Sequence, residues 1–209
     1  MTRQHLPPRR APLRPRLRLP KGYSRYYERD VTLLDGRLAH LRPILPDDLD
    51  ELRISVSEAD RQTLQNRFLG GRPPSKDDEF HRLVNVDYDR RFAVVALSPS
   101  RRGIGIARYD ANDGTDTADV AVAVAPGWRR VGLATNLLRL LGEAALEHGI
   151  RTFTVVFVVD NLDVNEILTA SHLPVARHFS EGVVDAEVDL SDYEQRLDLP
   201  PARTFDCQP

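Results

Sequence analysis

The stretch Val120-Ala121-Val122-Ala123-Val124-Ala125-Pro126-Gly127-Trp128-Arg129-Arg130-Val131-Gly132-Leu133-Ala134 decides the fold. A Val-rich strand runs into a Pro-Gly turn, and a long helix then begins, with Leu133, Leu137, Leu140, Leu141 and Ala144 along one stripe. Backbone N–H groups in the first turn of a helix have no partner inside it, so together with the macrodipole they favour an anion. Gly132 and Ala134 remove side-chain bulk where a pyrophosphate would approach, and Arg129 and Arg130 add positive charge. No Gly-Lys-Ser/Thr follows, which excludes a Walker loop, and the three spaced glycines of the dinucleotide fingerprint are missing. The same residues also fit a plain strand-to-helix turn with two surface arginines.

Working outward, the helix spans Gly132–His148, about 25 Å at 1.5 Å per residue, and Gly149 caps its end. Strands over Thr117–Val124 and Thr152–Val159 flank it, and strand, helix and strand of these lengths make a right-handed crossover joining parallel strands. A further helix over Asn161–His172 leads to short strands at Val175–Phe179 and Val183–Leu190. On the N-terminal side, Phe92–Leu97 and Gly103–Asp110 form a hairpin around Ser98-Pro-Ser-Arg-Arg-Gly103. Val31–Leu34 and Leu38–Leu41 straddle Asp35-Gly36, another hairpin signal. Pro46-Asp47-Asp48 opens a helix that continues, with a break, to Phe68, where Gly70-Gly71 and Pro73-Pro74 end it. Ser75, three residues before Asp78, caps a short helix to about Val84. No internal repeat is present. The expectation is one mixed-sheet domain over residues 31–190, a basic Pro-rich arm without fixed structure over 1–30 and a loose tail over 191–209.

Composition agrees. A chain of 209 residues that is 41% apolar and 29% charged is an ordinary soluble balance, and this length buries a sizeable core without disulfides. Cys207 is the only cysteine, which excludes a disulfide framework and fits a reducing cytosol. The longest apolar runs, Val120–Pro126 and Phe153–Val159, fall far short of the ~18 residues of a membrane span. The N-terminus carries no apolar signal-peptide stretch, so a soluble cytoplasmic protein without membrane contact is expected. Net charge is −2 but uneven. Residues 1–21 hold six arginines and Lys21 with no acid, leaving 22 basic against 31 acidic residues, a net of −9, from Gly22 onward. Such an arm can touch nucleic acid or an acidic partner, but the acidic body argues against an extended nucleic-acid surface. Tyr23, Tyr26 and Tyr27 beside it can stack on bases or pin the arm to the domain.

Other polar motifs carry less. Asp110-Ala-Asn-Asp-Gly-Thr-Asp116 lacks the first oxygen ligand of a calcium loop and suits a hairpin. His5, His40, His81, His148, His172 and His178 show no metal spacing, so no metal is expected. Cys207 has no local activation. Asp77, Asp78 and Glu79 suit a helix N-terminus, and Trp128 suits packing of the turn more than a cofactor wall.

In context, Arg129-x-x-Gly132-x-Ala134 after a Val-rich strand and before a long amphipathic helix resembles the acyl-CoA pyrophosphate loop of the GNAT acyltransferase superfamily. His40-Leu41-Arg42-Pro43 and Asp160-Asn161 agree, and the resemblance runs from about Val31 to Leu190. Asn66-Arg67-Phe68, Val86-Asp87-Tyr88, Ala107-Arg108-Tyr109 and Ala118-Asp119-Val120-Ala121 bring it closest to the catalytic domain of actinobacterial protein lysine acetyltransferases linked to cyclic nucleotides. Those relatives carry a separate cyclic-nucleotide-binding domain; the short tails here are not one, and such control would need another chain. The resemblance implies an α/β (α+β) GNAT fold, a mixed and mostly antiparallel sheet whose parallel β-α-β crossover forms the cofactor cleft. It also implies acetyl transfer from acetyl-CoA directly to an amine in a ternary complex. By the same resemblance the backbone of Val122, Ala123 and Val124 binds pantetheine and polarises the thioester. Arg129, Arg130, Val131, Gly132, Leu133, Ala134 and Thr135 cradle the pyrophosphate, and Asn161 hydrogen-bonds the cofactor. The sequence departs from the family at Leu168-Thr-Ala-Ser-His172-Leu173, where a tyrosine that protonates the leaving thiolate is absent.

Asp119 is the candidate general base. Strand alternation sets Val120, Val122 and Val124 on one face and Asp119, Ala121 and Ala123 on the other. The small residues leave room for a cleft, and Asp119 is the only charge along that face of the strand. In the related enzymes a glutamate takes this position. A solvated aspartate at a strand start is the plainer alternative. For function, a protein lysine acetyltransferase leads, with three rivals: a small-amine acetyltransferase, a non-catalytic acyl-CoA-binding regulator, and a nucleic-acid-associated module using the basic arm.

Overall fold

The computed structural model describes residues 19–61, 63–64 and 72–196. Asn66-Arg67-Phe68, Gly70-Gly71, His5 and Cys207 therefore lie outside the described residues, as do most of the basic arm and the end of the tail. The strands are β1 (Arg29–Thr32), β2 (Leu38–Pro43), β3 (Arg91–Leu97), β4 (Gly103–Ala111), β5 (Thr117–Val124), β6 (Thr152–Val158), β7 (Val175–Ser180) and β8 (Val183–Asp189). They form one sheet in the order β1-β2-β3-β4-β5-β6-β8-β7. Among the described residues only β5 and β6 pair in parallel; the other pairs are antiparallel. The helices are α1 (Leu49–Glu58), α2 (Asp77–Val84), α3 (Leu133–Glu147), α4 (Leu162–Ser171) and α5 (Ser191–Arg196). Among the described residues no helix is long and apolar enough to cross a membrane.

The apolar stripe of α3 dictates where the core sits. Leu133, Leu137, Leu140, Leu141 and Ala144 are buried in one cluster with Phe92, Val94 and Ala96 of β3 and Ala107 and Tyr109 of β4. Each leucine so buried contributes about 1.5–3 kcal/mol. Gly105 lets the helix come close: a Cβ there would meet Leu137 Cδ1 at 2.9 Å. A smaller cluster of Ile44, Val84, Ala93 and Val95, joined by Leu49 and Leu52, sits on the opposite face under α1 and α2. The Arg42 guanidinium grips Asp48 through two bonds of 2.7 and 2.6 Å, and the Leu45 N–H donates to the same carboxylate at 2.7 Å. β2 is thereby tied to the start of α1.

Three expectations need correction. The folded body begins before residue 31. Tyr27 is 3% exposed, with its ring 5.1 Å from Phe92 and its hydroxyl donating to Glu147. Arg29 forks onto Glu143 at 2.7 and 3.1 Å. These contacts pin the chain to the end of α3, the second of the two roles open to the tyrosines. Ser75 does not cap α2; the Glu79 carboxylate accepts the N–H groups of Ser75 (2.7 Å) and Lys76 (3.0 Å). The start of the tail is helical over Ser191–Arg196, and the Tyr193 hydroxyl ties it to the long helix by donating to the Arg139 carbonyl at 3.3 Å.

Candidate active site

A fork in the sheet makes the site. β5 stays bonded to β4 as far as Val124, opposite Gly105. It pairs with β6 only at Thr117–Asp119 against Thr152–Thr154, while β6 runs on, paired through its other edge with β8, as far as Val158. Among the described residues the β6-facing edge of β5 has no strand partner from Val120 onward; the Val124 carbonyl accepts Arg129 Nε at 3.4 Å, and the rest of that edge can meet a ligand.

A cavity of about 370 Å³ opens beside that edge. Val122–Val124 form one wall, Arg129, Arg130 and Gly132–Thr135 a second, and Asn161 with Val164 and Ala170 a third. Of the residues expected to hold a cofactor, Val131 alone stands outside; its carbonyl instead accepts the Leu34 N–H at 3.1 Å. Gly132 precedes α3 with φ +82, and no side chain caps the helix. A residue with a Cβ would lose about 1–2 kcal/mol in that conformation. Leu133, Ala134 and Thr135 line the cavity, so the positive end of a fifteen-residue helix meets it. Trp128 also lines the cavity and carries the Arg37 guanidinium 3.9 Å above its ring, so it is both packing and wall.

Both loop arginines are engaged. Arg129 Nη2 donates to Asp60 at 3.1 and 3.2 Å and to Thr63 Oγ1. Thr63 also donates its hydroxyl (2.5 Å) and its N–H (2.6 Å) to Asp60. These two bonds, and then Arg129, hold the Asp60 carboxyl below its ordinary value of 3.8. Arg130, at φ +60, reaches across to α4 and pairs with Asp163 (3.2 Å) and Glu166 (3.5 Å). Asn161 is buried; its side-chain oxygen caps α4 by accepting the Val164 N–H at 3.2 Å.

A second cavity of about 220 Å³ lies between α1 and strands β3–β5. Ile44, Leu52, Val95 and Ile106 make its apolar wall, and Glu51 and Glu58 border it. Both carboxylates bind Arg102, each at 3.0 Å, and Glu51 also accepts the Gly103 N–H at 2.7 Å. The sequence reading missed these two residues, although their spacing of seven sets them on one face of a helix. Thr63, Ala123 and Val124 belong to both cavities, so the two meet beside the end of β5.

Asp119 stands at the apex of the fork. It is exposed, and Thr154 Oγ1 donates to it at 2.5 Å while lying 3.2 Å from the Ala118 carbonyl. Neither cavity includes Asp119 in its wall; Ala121 and Ala123 lead from it to the junction along the same face. As expected, it is the only charge along that face of its own strand, but the neighbouring strand brings others beside it. Asp110 lies directly opposite it on β4 and accepts two Arg108 nitrogens at 3.0 and 3.1 Å. Arg108 itself is buried, flanked in the register by Ala93 and Ala121. Among the described residues no tyrosine lines the larger cavity.

The site is thus a strand forked from its parallel neighbour beside an uncapped helix start. A profile described as acetyltransferase (GNAT) domain matches residues 39–173, and the chain belongs to this family. It is 30% identical over 123 residues to an acetyltransferase of Pseudomonas aeruginosa, covering 57% of this chain and 66% of that protein. It is 27% identical over 183 residues to acetyltransferase Pat of Mycolicibacterium smegmatis, covering 86% of this chain and 51% of that protein. The chain thus spans about two thirds and about half of the length of these two relatives. The GNAT domain of S. lividans PAT superposes with a TM-score of 0.74 at 29% identity, covering 80% of this chain and 99% of that one. Spermidine N-acetyltransferase from Vibrio cholerae, in complex with CoA and spermine, superposes at 0.60 with 18% identity, over 75% of this chain and 98% of that one, a likeness of fold.

Proposed function

We propose that this chain transfers acetyl from acetyl-CoA directly to an amine, with a protein lysine side chain as acceptor. The meeting of the two cavities at Ala123 and Val124 carries this reading: a donor in the larger one and an amine in the smaller one reach each other without a covalent enzyme intermediate. The start of α3 receives the pyrophosphate through backbone N–H groups. The free edge of Val122–Val124 hydrogen-bonds pantetheine and polarises the thioester carbonyl, an arrangement that gains strength as the oxyanion develops. With its oxygen taken by the helix cap, Asn161 offers its amide nitrogen to the donor. Ile44, Leu52, Val95 and Ile106 suit the four-carbon stem of a lysine.

The amine nitrogen attacks the carbonyl carbon, the carbon–sulfur bond breaks, and CoA leaves as a thiolate. A thiol pKa near ~8.5 makes that departure easy without a tyrosine to protonate it. Holding a lysine neutral at pH 7 costs about 5 kcal/mol if the site gives no help. Asp119, held by Thr154, takes the proton through bridging water. Incubation with labelled acetyl-CoA and whole-cell lysate, followed by peptide mapping, tests the proposal. Labelled lysines support it, and label confined to small molecules turns it to a small-amine enzyme. The position of Asp119 outside both cavity walls favours a second reading, an acyl-CoA-binding regulator, which predicts donor binding with no label transferred.

A further inference from the structure

The tip of the β1–β2 hairpin belongs to no part of the chemistry above, yet it is fastened to the donor cavity. The Leu34 N–H donates to the Val131 carbonyl at 3.1 Å. Three residues on, Arg37 donates to the Gly127 carbonyl at 2.9 Å, is gripped by Asp35 at 2.6 Å and covers the Trp128 ring. Both ends of the loop before α3 are thus clamped by one turn. Hairpin tips exposed to water ordinarily carry polar residues. Here the tip carries a leucine that is 86% exposed, held against the cavity it lines. A Cβ on Gly132 would stand 3.4 Å from Leu34 Cγ, so the side chain lies beside the helix start.

Resting on the acyl-CoA reading, we infer that Leu34 is the platform for the adenine ring of the donor and makes the protein select nucleotide-bearing thioesters. A donor with pantetheine along Val122–Val124 and pyrophosphate at Gly132–Thr135 has one part left to place, its adenosine. The base is a flat ring with an apolar face, and such a face gains by covering an exposed leucine whose backbone is already fastened to the loop before α3.

Calorimetry with acetyl-CoA and with 3′-phosphoadenosine diphosphate, and kinetics with acetyl-pantetheine as donor, test this on the full chain. Leu34→Ala should weaken acetyl-CoA and the free nucleotide by about five- to tenfold, and Leu34→Met should stay within about twofold of wild type. Acetyl-pantetheine turnover should not change, since that donor never reaches the hairpin. Unchanged acetyl-CoA affinity in a Leu34→Ala protein of wild-type melting temperature overturns the inference. Equal loss with acetyl-pantetheine also overturns it, since the leucine would then act by shaping the loop. If wild-type protein binds neither acetyl-CoA nor the nucleotide, the donor site itself is wrong, a failure visible before any variant is made.

Discussion

The two cavities share Thr63, Ala123 and Val124 but are assembled differently. The larger one, proposed for the donor, adjoins the free edge of β5, the uncapped start of α3 and the left-handed turn at Gly132. The smaller one, proposed for the acceptor, draws on residues far apart in the chain: Leu52 and Glu51 from α1, Val95 from β3 and Ile106 from β4. A donor common to many enzymes needs only its invariant phosphates and amides met, which backbone does whatever the side chains. An acceptor that differs from enzyme to enzyme must be met by residues free to change. The clip of Asp60, Thr63 and Arg129 joins the two, fastening the segment after α1 to the loop before α3.

The largest expected effect lies on the backbone side. Gly132→Glu places a carboxylate at the positive end of α3 and forces a left-handed glutamate. It should abolish acetyl-CoA binding by calorimetry while the protein stays folded, because a Cβ there meets only ordinary contacts. Wild-type affinity in that variant would show that the helix start is not the phosphate site. Arg130→Ala should weaken binding far less, since an exposed arginine contributes modestly beside oriented amides.

Next in size is the group that would serve both halves. Asp119→Asn keeps an acceptor for Thr154, so fold and donor affinity should persist while turnover falls by ~10²–10⁴. Asp119→Glu should retain or raise activity by extending the carboxylate one methylene. A wild-type rate for Asp119→Asn on a confirmed acceptor removes it as base. Gain of activity by Asp119→Glu from an inactive wild type selects the regulator instead.

The unequal legibility of the two halves follows from the same contrast. Residues 120–135 are contiguous, so strand, turn, glycine and helix could be read in one pass, and the valine face and leucine stripe meet in the core as the periods dictate. The Ala118–Ala123 alternation located Asp119 on its strand, but Asp110 and Arg108 reach that face only through the β4–β5 register. Glu51, Glu58 and Ile106 come together through packing of distant segments, which no local pattern encodes. Thr63 and Asp60 fall where the chain reads as a broken helix, and nothing in their sequence announces a partner in Arg129, 66 and 69 positions away. Tyr27 was hidden by the arm beside it: proline and arginine set the composition, while one aromatic side chain supplied the burial.

A smaller effect tests whether the clip couples the halves. Its geometry is partly exposed, so Asp60→Asn should cost about 1 kcal/mol, some 2–4 °C in Tm for a chain of this size. It should also raise KM for donor and acceptor together, whereas a change confined to one wall moves one KM. Because the folded Asp60 pKa is depressed, its contribution is fully present above about pH 4 and is lost as pH falls through the lowered value. The Tm difference between wild type and Asp60→Asn should therefore close on acidification below pH 4 and be constant between pH 5 and 8. A difference that shows no decline as pH falls below 4 would assign the effect to packing.

The smallest expected effect concerns the basic arm. Both walls are complete from residue 22 onward: Tyr23 and Tyr27 carry the packing against the core, Arg29 the grip on α3, and the β1–β2 hairpin the hold on the donor loop. Residues 1–21 have five prolines and no apolar period, so they lack the means to bury a face. A chain starting at Gly22 should melt within about 2 °C of the full protein and bind acetyl-CoA with unchanged affinity. The seven positive charges of the arm then act only on what it meets in solution. DNA binding that falls steeply with salt and vanishes on truncation would assign the arm to nucleic acid. Acetylation of a protein acceptor that weakens on truncation, with small-amine acetylation intact, would assign it to recruiting acidic acceptor surfaces. A Tm loss of more than about 5 °C would instead show that the arm packs on the body, and the boundary of the fold would move toward residue 1.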